Sequence, residues 1–232
     1  MIRKTLVLAL ITMFYSSFAL ADIGVNIGVS AQIGEMTAKG SEKNSDTQTN
    51  AADGVGTQSR SENALFGTAG LFIEKTLGSR FAIGFSNIAH DISLGTADNA
   101  RAASLGAAGA TVAATTHELQ ADITGFQTIY ATVKLTDMLY VKAGSVTVDV
   151  DTRFTKAGVV STDYGSSHEL DGHVVGIGLE NKSDNGMFFR LEYNNYEIDG
   201  KSVSSAGSDS TLTATLDDVS GDTARISIGK SF

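Results

Sequence analysis

The links between strand-like stretches constrain this chain more than any single motif. Eight stretches, 22–34, 63–77, 80–92, 118–135, 139–150, 171–181, 187–198 and 223–232, tend to alternate apolar with polar or small residues. The links joining them run long, short, long, short, long, short, long. A period of two belongs to an extended strand with unlike faces. The short links are Gly78-Ser79, Thr136-Asp137-Met138 and Ser183-Asp184-Asn185-Gly186, which are hairpin turns by composition. The long links, 37–62, 95–116, 151–169 and 199–222, are rich in Ser, Thr, Asn, Asp, Gly and Ala and read as loops. Residues 100–108 could add a helical turn or two within the second of them. This order predicts an all-β fold, an up-and-down antiparallel β-barrel of eight strands with tight turns at one rim and loops at the other.

Pro is absent and Gly numbers 25, so long pleated strands meet no Pro interruption and turns fall to Gly, Asn, Asp and Ser. Residues 1–21 stand apart. Arg3 and Lys4 precede an apolar run from Leu6 to Tyr15, and Ala19-Leu20-Ala21 offers a small-x-small cleavage pattern. The run is short for a spanning helix, so a removable export signal is expected over 1–21, a signal anchor being the alternative. The barrel then occupies 22–232, and loss of Arg3 and Lys4 takes the formal charge from −9 to −11. That acidity argues against nucleic acid, which needs clustered Lys and Arg. Without Cys there are no disulfides and no thiolate chemistry.

The stretch 22–34 is the cleanest strand, with Ile23, Val25, Ile27, Val29, Ala31 and Ile33 in phase. In 223–232, Ala224, Ile226, Ile228 and Phe232 lie opposite Arg225, Ser227, Gly229 and Ser231. A lipid band roughly 25 Å tall, crossed at a tilt near 40°, needs about ten residues per strand. Every stretch is at least that long. An exported soluble cup of the lipocalin kind would alternate too. The strict long–short order and the terminal Phe232 favour lipid.

With the apolar parity outward, Asp122, Lys142, Glu180, Arg190, Glu192 and Arg225 point inward. An eight-stranded barrel is just filled by side chains, and buried charges must be paired, so these six are expected to form a neutralising network in the lumen. A narrow ion or solute path is the sharper alternative. Gly24, Gly28, Gly176, Gly178 and Gly229 share the inward parity and make room for bulky residues such as Phe126, Tyr130 or Phe188. Tyr140, Tyr193, Phe189 and Phe232 suit interfacial girdles. Two places are irregular. Phe66 and Phe72 oppose Leu71 and Ile73, and the apolar phase changes after Asn87, which suggests a bulge or a strand emerging from lipid, and again after Gly144, which suggests a bulge.

Four stretches, Tyr140-Val141-Lys142-Ala143-Gly144, Val175-Gly176-Ile177-Gly178-Leu179-Glu180, Phe189-Arg190-Leu191-Glu192-Tyr193 and Ile226-Ser227-Ile228-Gly229-Lys230-Ser231-Phe232, resemble the small outer-membrane β-barrels of Gram-negative bacteria, the OmpA-like and opacity-protein-like family. The resemblance covers 22–232. It implies a place in the cell outer membrane among its lipids and lipopolysaccharide, and recognition of the final aromatic, Phe232, by the outer-membrane assembly machinery. The tethering role of a carboxy-terminal peptidoglycan-binding domain is not expected.

No catalytic residue, cofactor or metal ligand is expected. Ser166-Ser167-His168-Glu169 holds nucleophile, base and carboxylate, but neighbours in sequence rarely converge as a triad. Lipid A deacylase barrels carry a His-x-Ser pattern, and no His here has Ser two residues later. Gly176-Ile177-Gly178 sits in mid-strand with no helix after it, so a dinucleotide reading fails. Asp217, Asp218 and Asp222, with Asp149 and Asp151, are oxygen-rich groups that could suit calcium, although such clusters are usually just solvated. The leading function is structural or surface interaction, with an extracellular ligand met through the loops. The alternative is a narrow porin-like or hydrophobic-solute channel.

Overall fold

The computed structural model describes residues 24–44, 56–88, 91–101, 104–105, 111–112, 115–156, 159–161, 167–204 and 212–232. The expected signal segment 1–21 lies outside them. Eight staves form the wall: β1 (Val25–Asn44), β2 (Gly56–Leu77), β3 in two segments (Phe81–Ile88 and Ile92–Arg101), β4 (Thr115–Lys134), β5 (Leu139–Lys156), β6 (Ser167–Lys182), β7 (Met187–Ile198) and β8 (Val219–Ser231). Each pairs antiparallel with the next, and β1 pairs with β8 from Asn26↔Ser231 to Thr37↔Ser220, which closes the sheet. The closing bonds reach the last residue, since Phe232 N–H donates to Val25 O at 2.8 Å. Closure gives strand backbones partners within the wall, the condition for crossing lipid with strands.

Alternation along each stave sorts the side chains. Burial switches at every residue along most of β8 and β7. Ile33 is 69% exposed and Leu71 62%, while Glu74 and Val174 are at 0%. Ile27, Val29, Ile177, Leu191, Ile226 and Ile228 join Ile33 and Leu71 in an apolar belt around the outside. So large an exposed apolar surface is the mark of a membrane-embedded face. Among the described residues no helix is long and apolar enough to span a membrane; the chain crosses with strands.

The three tight turns fall at one rim. Gly78 and Gly186 take φ of 70° and 84°, a left-handed conformation that suits Gly. Between them, Thr136 Oγ1 accepts the Leu139 N–H at 2.9 Å. At the opposite rim the sequence expectation of bare loops is corrected. β1 and β2 stay paired out to Asn44↔Gly56, and β4, β5 and β6 also run past the belt. A ladder needs backbone groups rather than apolar side chains, and outside lipid Ser and Thr serve on both faces. Strand Leu212–Leu216 extends the sheet against β1 and carries Lys201–Ser204 at its edge. Within 100–108, the described residues Ala100, Arg101, Ser104 and Leu105 are strand rather than helix.

The bulge suggested near Gly144 is corrected as well. Register runs unbroken through Gly144, which pairs with Tyr130 on one side and Val174 on the other. Val146, Val148 and Val150 therefore stay on the inward parity of Lys142, and it is the interior that changes from charged to apolar. Ile88 and Ile92 likewise both face that interior. The irregularities lie in β4, between Ile123 and Gly125, and in β3 beyond Asn87, where the register shifts between Ser93 and Thr96.

The inside thus has two layers. On the loop side an apolar core unites Met36, Phe126, Val148, Val174, Tyr196 and Ile198 with their neighbours. On the turn side lie the charges. The wall also has a seam. β2 pairs with β3 only from Gly70↔Ile88 to Leu77↔Phe81. Beyond Gly70, among the described residues, β2 pairs with β1 alone while β3 leans onto β4.

Candidate functional site: the charged interior

Glu74 anchors the turn-side interior. Its register partners are Asn26 on β1 and Gly84 on β3. The Arg190 guanidinium grips the carboxylate in a fork, Nη1 to Oε1 at 2.5 Å and Nη2 to Oε2 at 2.7 Å. Tyr130 Oη donates to Oε1 at 2.9 Å and Asn26 Nδ2 to Oε2 at 3.0 Å. Arg190 Nε turns the other way and donates to Glu180 Oε2 at 2.7 Å, and Lys134 Nζ closes the chain on Glu180 Oε1 at 2.6 Å. A planar guanidinium suits this better than an ammonium, because one rigid fork serves two carboxylates. Phe188, Phe72 and Tyr140 surround it with ring centroids at 4.7, 5.5 and 5.5 Å.

A second group is looser. Lys142 Nζ donates to Glu192 Oε1 at 3.4 Å, and Arg225 Nε approaches Oε2 of the same carboxylate at 3.5 Å. Lys142 Nζ also sits 4.4 Å from the Tyr130 ring centroid.

Glycine makes this packing fit. Phe72, Tyr130, Tyr140 and Phe188 stand directly opposite Gly28, Gly84, Gly178 and Gly229 on the adjoining strand. A Cβ on any of the four would run into the facing ring. Below the charges a vestibule of about 570 Å³ opens at the turn rim, bordered by Lys134, Tyr140, Glu180, Lys182, Phe188 and Arg190.

Of the six residues expected in the lumen, Lys142, Glu180, Arg190, Glu192 and Arg225 lie together there, each at most 6% exposed. Asp122 lies elsewhere. The bulge in β4 reverses parity below Gly125, so Asp122 shares the outer face with its partners Ser93 and Asp151, and Gln120 Nε2 donates to it at 3.0 Å. Glu74 and Lys134 belong to the network and escaped the sequence reading. Apolar residues occupy both faces of 63–77, so parity alone could not orient Glu74; a carboxylate inside a lipid-crossing strand is itself the signal, because it must turn inward. Tyr140 is 2% exposed and faces Gly178, not the girdle, whereas Phe189, Tyr193 and Phe232 do face outward.

The weaker chemical candidates do not assemble. Ser167, His168 and Glu169 are consecutive in β6, so their side chains leave opposite faces; Ser166 lies outside the described residues. Asp218 caps the Gly200 N–H at 3.0 Å, and Asp222 accepts from Tyr193 Oη at 2.7 Å and Asn195 Nδ2 at 3.0 Å. Among the described residues no group of three or more His, Asp or Glu is placed to hold a metal ion.

No family model matches the chain, and no curated protein does. Solved structures of similar outline include Ail, the attachment invasion locus protein of Yersinia pestis, in complex with the heparin analogue sucrose octasulfate (11% identity, 88% of this chain and 99% of that one, TM-score 0.37). OprG from Pseudomonas aeruginosa aligns at 11% identity over 91% of this chain and 96% of that one, TM-score 0.46. The outer-membrane protease OmpT from Escherichia coli aligns at 9% identity over 93% and 98%, TM-score 0.38. The chain's own geometry decides its class. A sheet closed on eight staves, an apolar belt outside and paired charges within make this an outer-membrane β-barrel of the small eight-stranded architecture.

Proposed function

We propose that this protein is a closed outer-membrane anchor that holds extramembrane β-structure at the cell surface for contact with a partner. The observation that carries the reading is the apolar layer on the loop side. Val146, Val148, Val174 and Ile198 are at 0–1% exposure and fill the bore above the charges. An ion crossing there would shed its water largely against aliphatic side chains. The extended hairpins beyond the belt, rich in Ser, Thr and charged residues, are the surface such an anchor offers. The barrel exterior meets outer-membrane lipids and lipopolysaccharide, and Phe232 serves as the signal read by the assembly machinery. The formal charge of −11 on 22–232, −9 less the Arg3 and Lys4 of the export signal, turns the extracellular ligand class away from polyanions.

Planar-bilayer recording of the purified protein tests this. Silence over long recordings is the expected result. Discrete single-channel openings would overturn it and favour a narrow porin-like channel. Incubation with lipid A or phospholipid, expected to leave both intact, checks that the barrel is not a hydrolase.

A further inference from the structure

Among the described residues the interior charges divide into two sets of unequal balance. Glu74, Glu180, Arg190 and Lys134 form a neutral chain with hydrogen bonds of 2.5–2.7 Å. Lys142 and Arg225 share the single carboxylate of Glu192 at 3.4 and 3.5 Å, which leaves that set one positive charge in excess. Around it stand polar side chains that find no partner. Thr68, Gln32 and Arg225 are successive cross-strand neighbours on β2, β1 and β8, and Arg225 is opposite Glu192 on β7. Thr68 Oγ1, Gln32 Nε2, Ser227 Oγ and both amide atoms of Asn194 are buried without a hydrogen-bond partner, and Arg225 Nε has only its long ion pair with Glu192, too poorly placed to count as a hydrogen bond. All five residues are at least nine-tenths buried. Apart from the Asn194 oxygen, each of these atoms can donate a proton.

Donors without acceptors beside a surplus cation specify a negative ligand. We propose that the barrel interior contains a binding site for a small monovalent anion of halide size, beside Arg225 and between the charge network and the apolar layer. The anion accepts from the Arg225 guanidinium, the Gln32 amide and the neighbouring hydroxyls, and it neutralises the charge that Glu192 leaves unmatched. One negative charge is enough to balance the set, so a doubly charged phosphate or sulfate would overshoot it. The anion is enclosed as the barrel closes, or arrives through the turn-side vestibule. The site stands whether or not the surface hairpins bind a partner.

The test is refolding and urea-driven unfolding of the intact protein in detergent, with sodium chloride or bromide against sodium gluconate at constant ionic strength. The native protein is expected to unfold at higher urea in halide, because a ligand bound only to the folded state shifts its midpoint upward. Lys142→Met removes the excess charge and is expected to lose that halide dependence. Glu192→Gln doubles the excess and is expected to steepen it. Gln32→Leu keeps every charge and is expected to weaken it, which preserves the test if a charge variant does not fold. A bromide anomalous peak beside Arg225 in crystals grown from bromide would support the site directly. Equal midpoints in halide and gluconate for the native protein, or Lys142→Met keeping the full halide response, would overturn it.

Discussion

Arg190 holds more of the interior together than any other side chain, since it alone bonds two of the three buried carboxylates of the network. Arg190→Leu strands Glu74 and Glu180 without their strongest partner inside a closed bore. Removing one member of a buried ion pair costs about 3–5 kcal/mol. Urea titration in detergent should show a midpoint well below that of the native protein, and an unchanged midpoint would contradict the network. Asp122→Asn is the control from the same expected set. Asp122 lies on the outer face beside Asp151, so its substitution should stay within about 0.5 kcal/mol of native in the same titration. The five inward charges were legible because parity is unambiguous around each of them, in 139–143, 171–181, 187–193 and 223–232. Asp122 was misread because the parity of 126–135 was carried unbroken through Gly125, whereas one inserted residue there puts the side chains before it on the other face.

Pairs of facing elements set the next level. Tyr130 reaches Glu74 only because Gly84 on the adjoining strand leaves room for its ring. Gly84→Ala should displace the ring and cost about 1–3 kcal/mol, a value for overpacking that the same titration reads. A loss no larger than that of an exposed Gly→Ala change would contradict the ring-over-glycine account. The seam between β2 and β3 has its own signature. An antiparallel strand points alternate N–H groups to its two neighbours. Where β2 has β1 alone, every second amide between Gly56 and Ala69 should exchange quickly and the rest slowly. Hydrogen exchange read by NMR in micelles would show that comb, and uniform protection would mean that the wall is closed there. Strand existence and the three turns were readable from alternation and from Gly, Asn, Asp and Ser. The seam and the reach of the outer hairpins were not, because both depend on backbone pairing that polar residues permit without announcing.

At the scale of the whole molecule, one inversion explains the sequence. The side chains that would build a soluble core lie outside, the belt they form is exposed, and the charges lie at the centre. The account differs from a simple inversion only in its loop-side half, where Val146, Val148, Val150 and Val174 make the interior apolar too. That layer was hidden in the sequence, because an apolar residue at an inward position looks like a change of register. The most direct test is a nitroxide scan along Met187–Ile198 in lipid bilayers, recording collisions with oxygen and with a water-soluble nickel chelate. Oxygen contact should peak at Phe189, Leu191 and Tyr193 and collapse at Arg190, Glu192 and Asn194, with the nickel reagent excluded from both sets. A scan without that two-residue beat, or with nickel contact at Leu191, would contradict the lipid-facing orientation of the barrel wall.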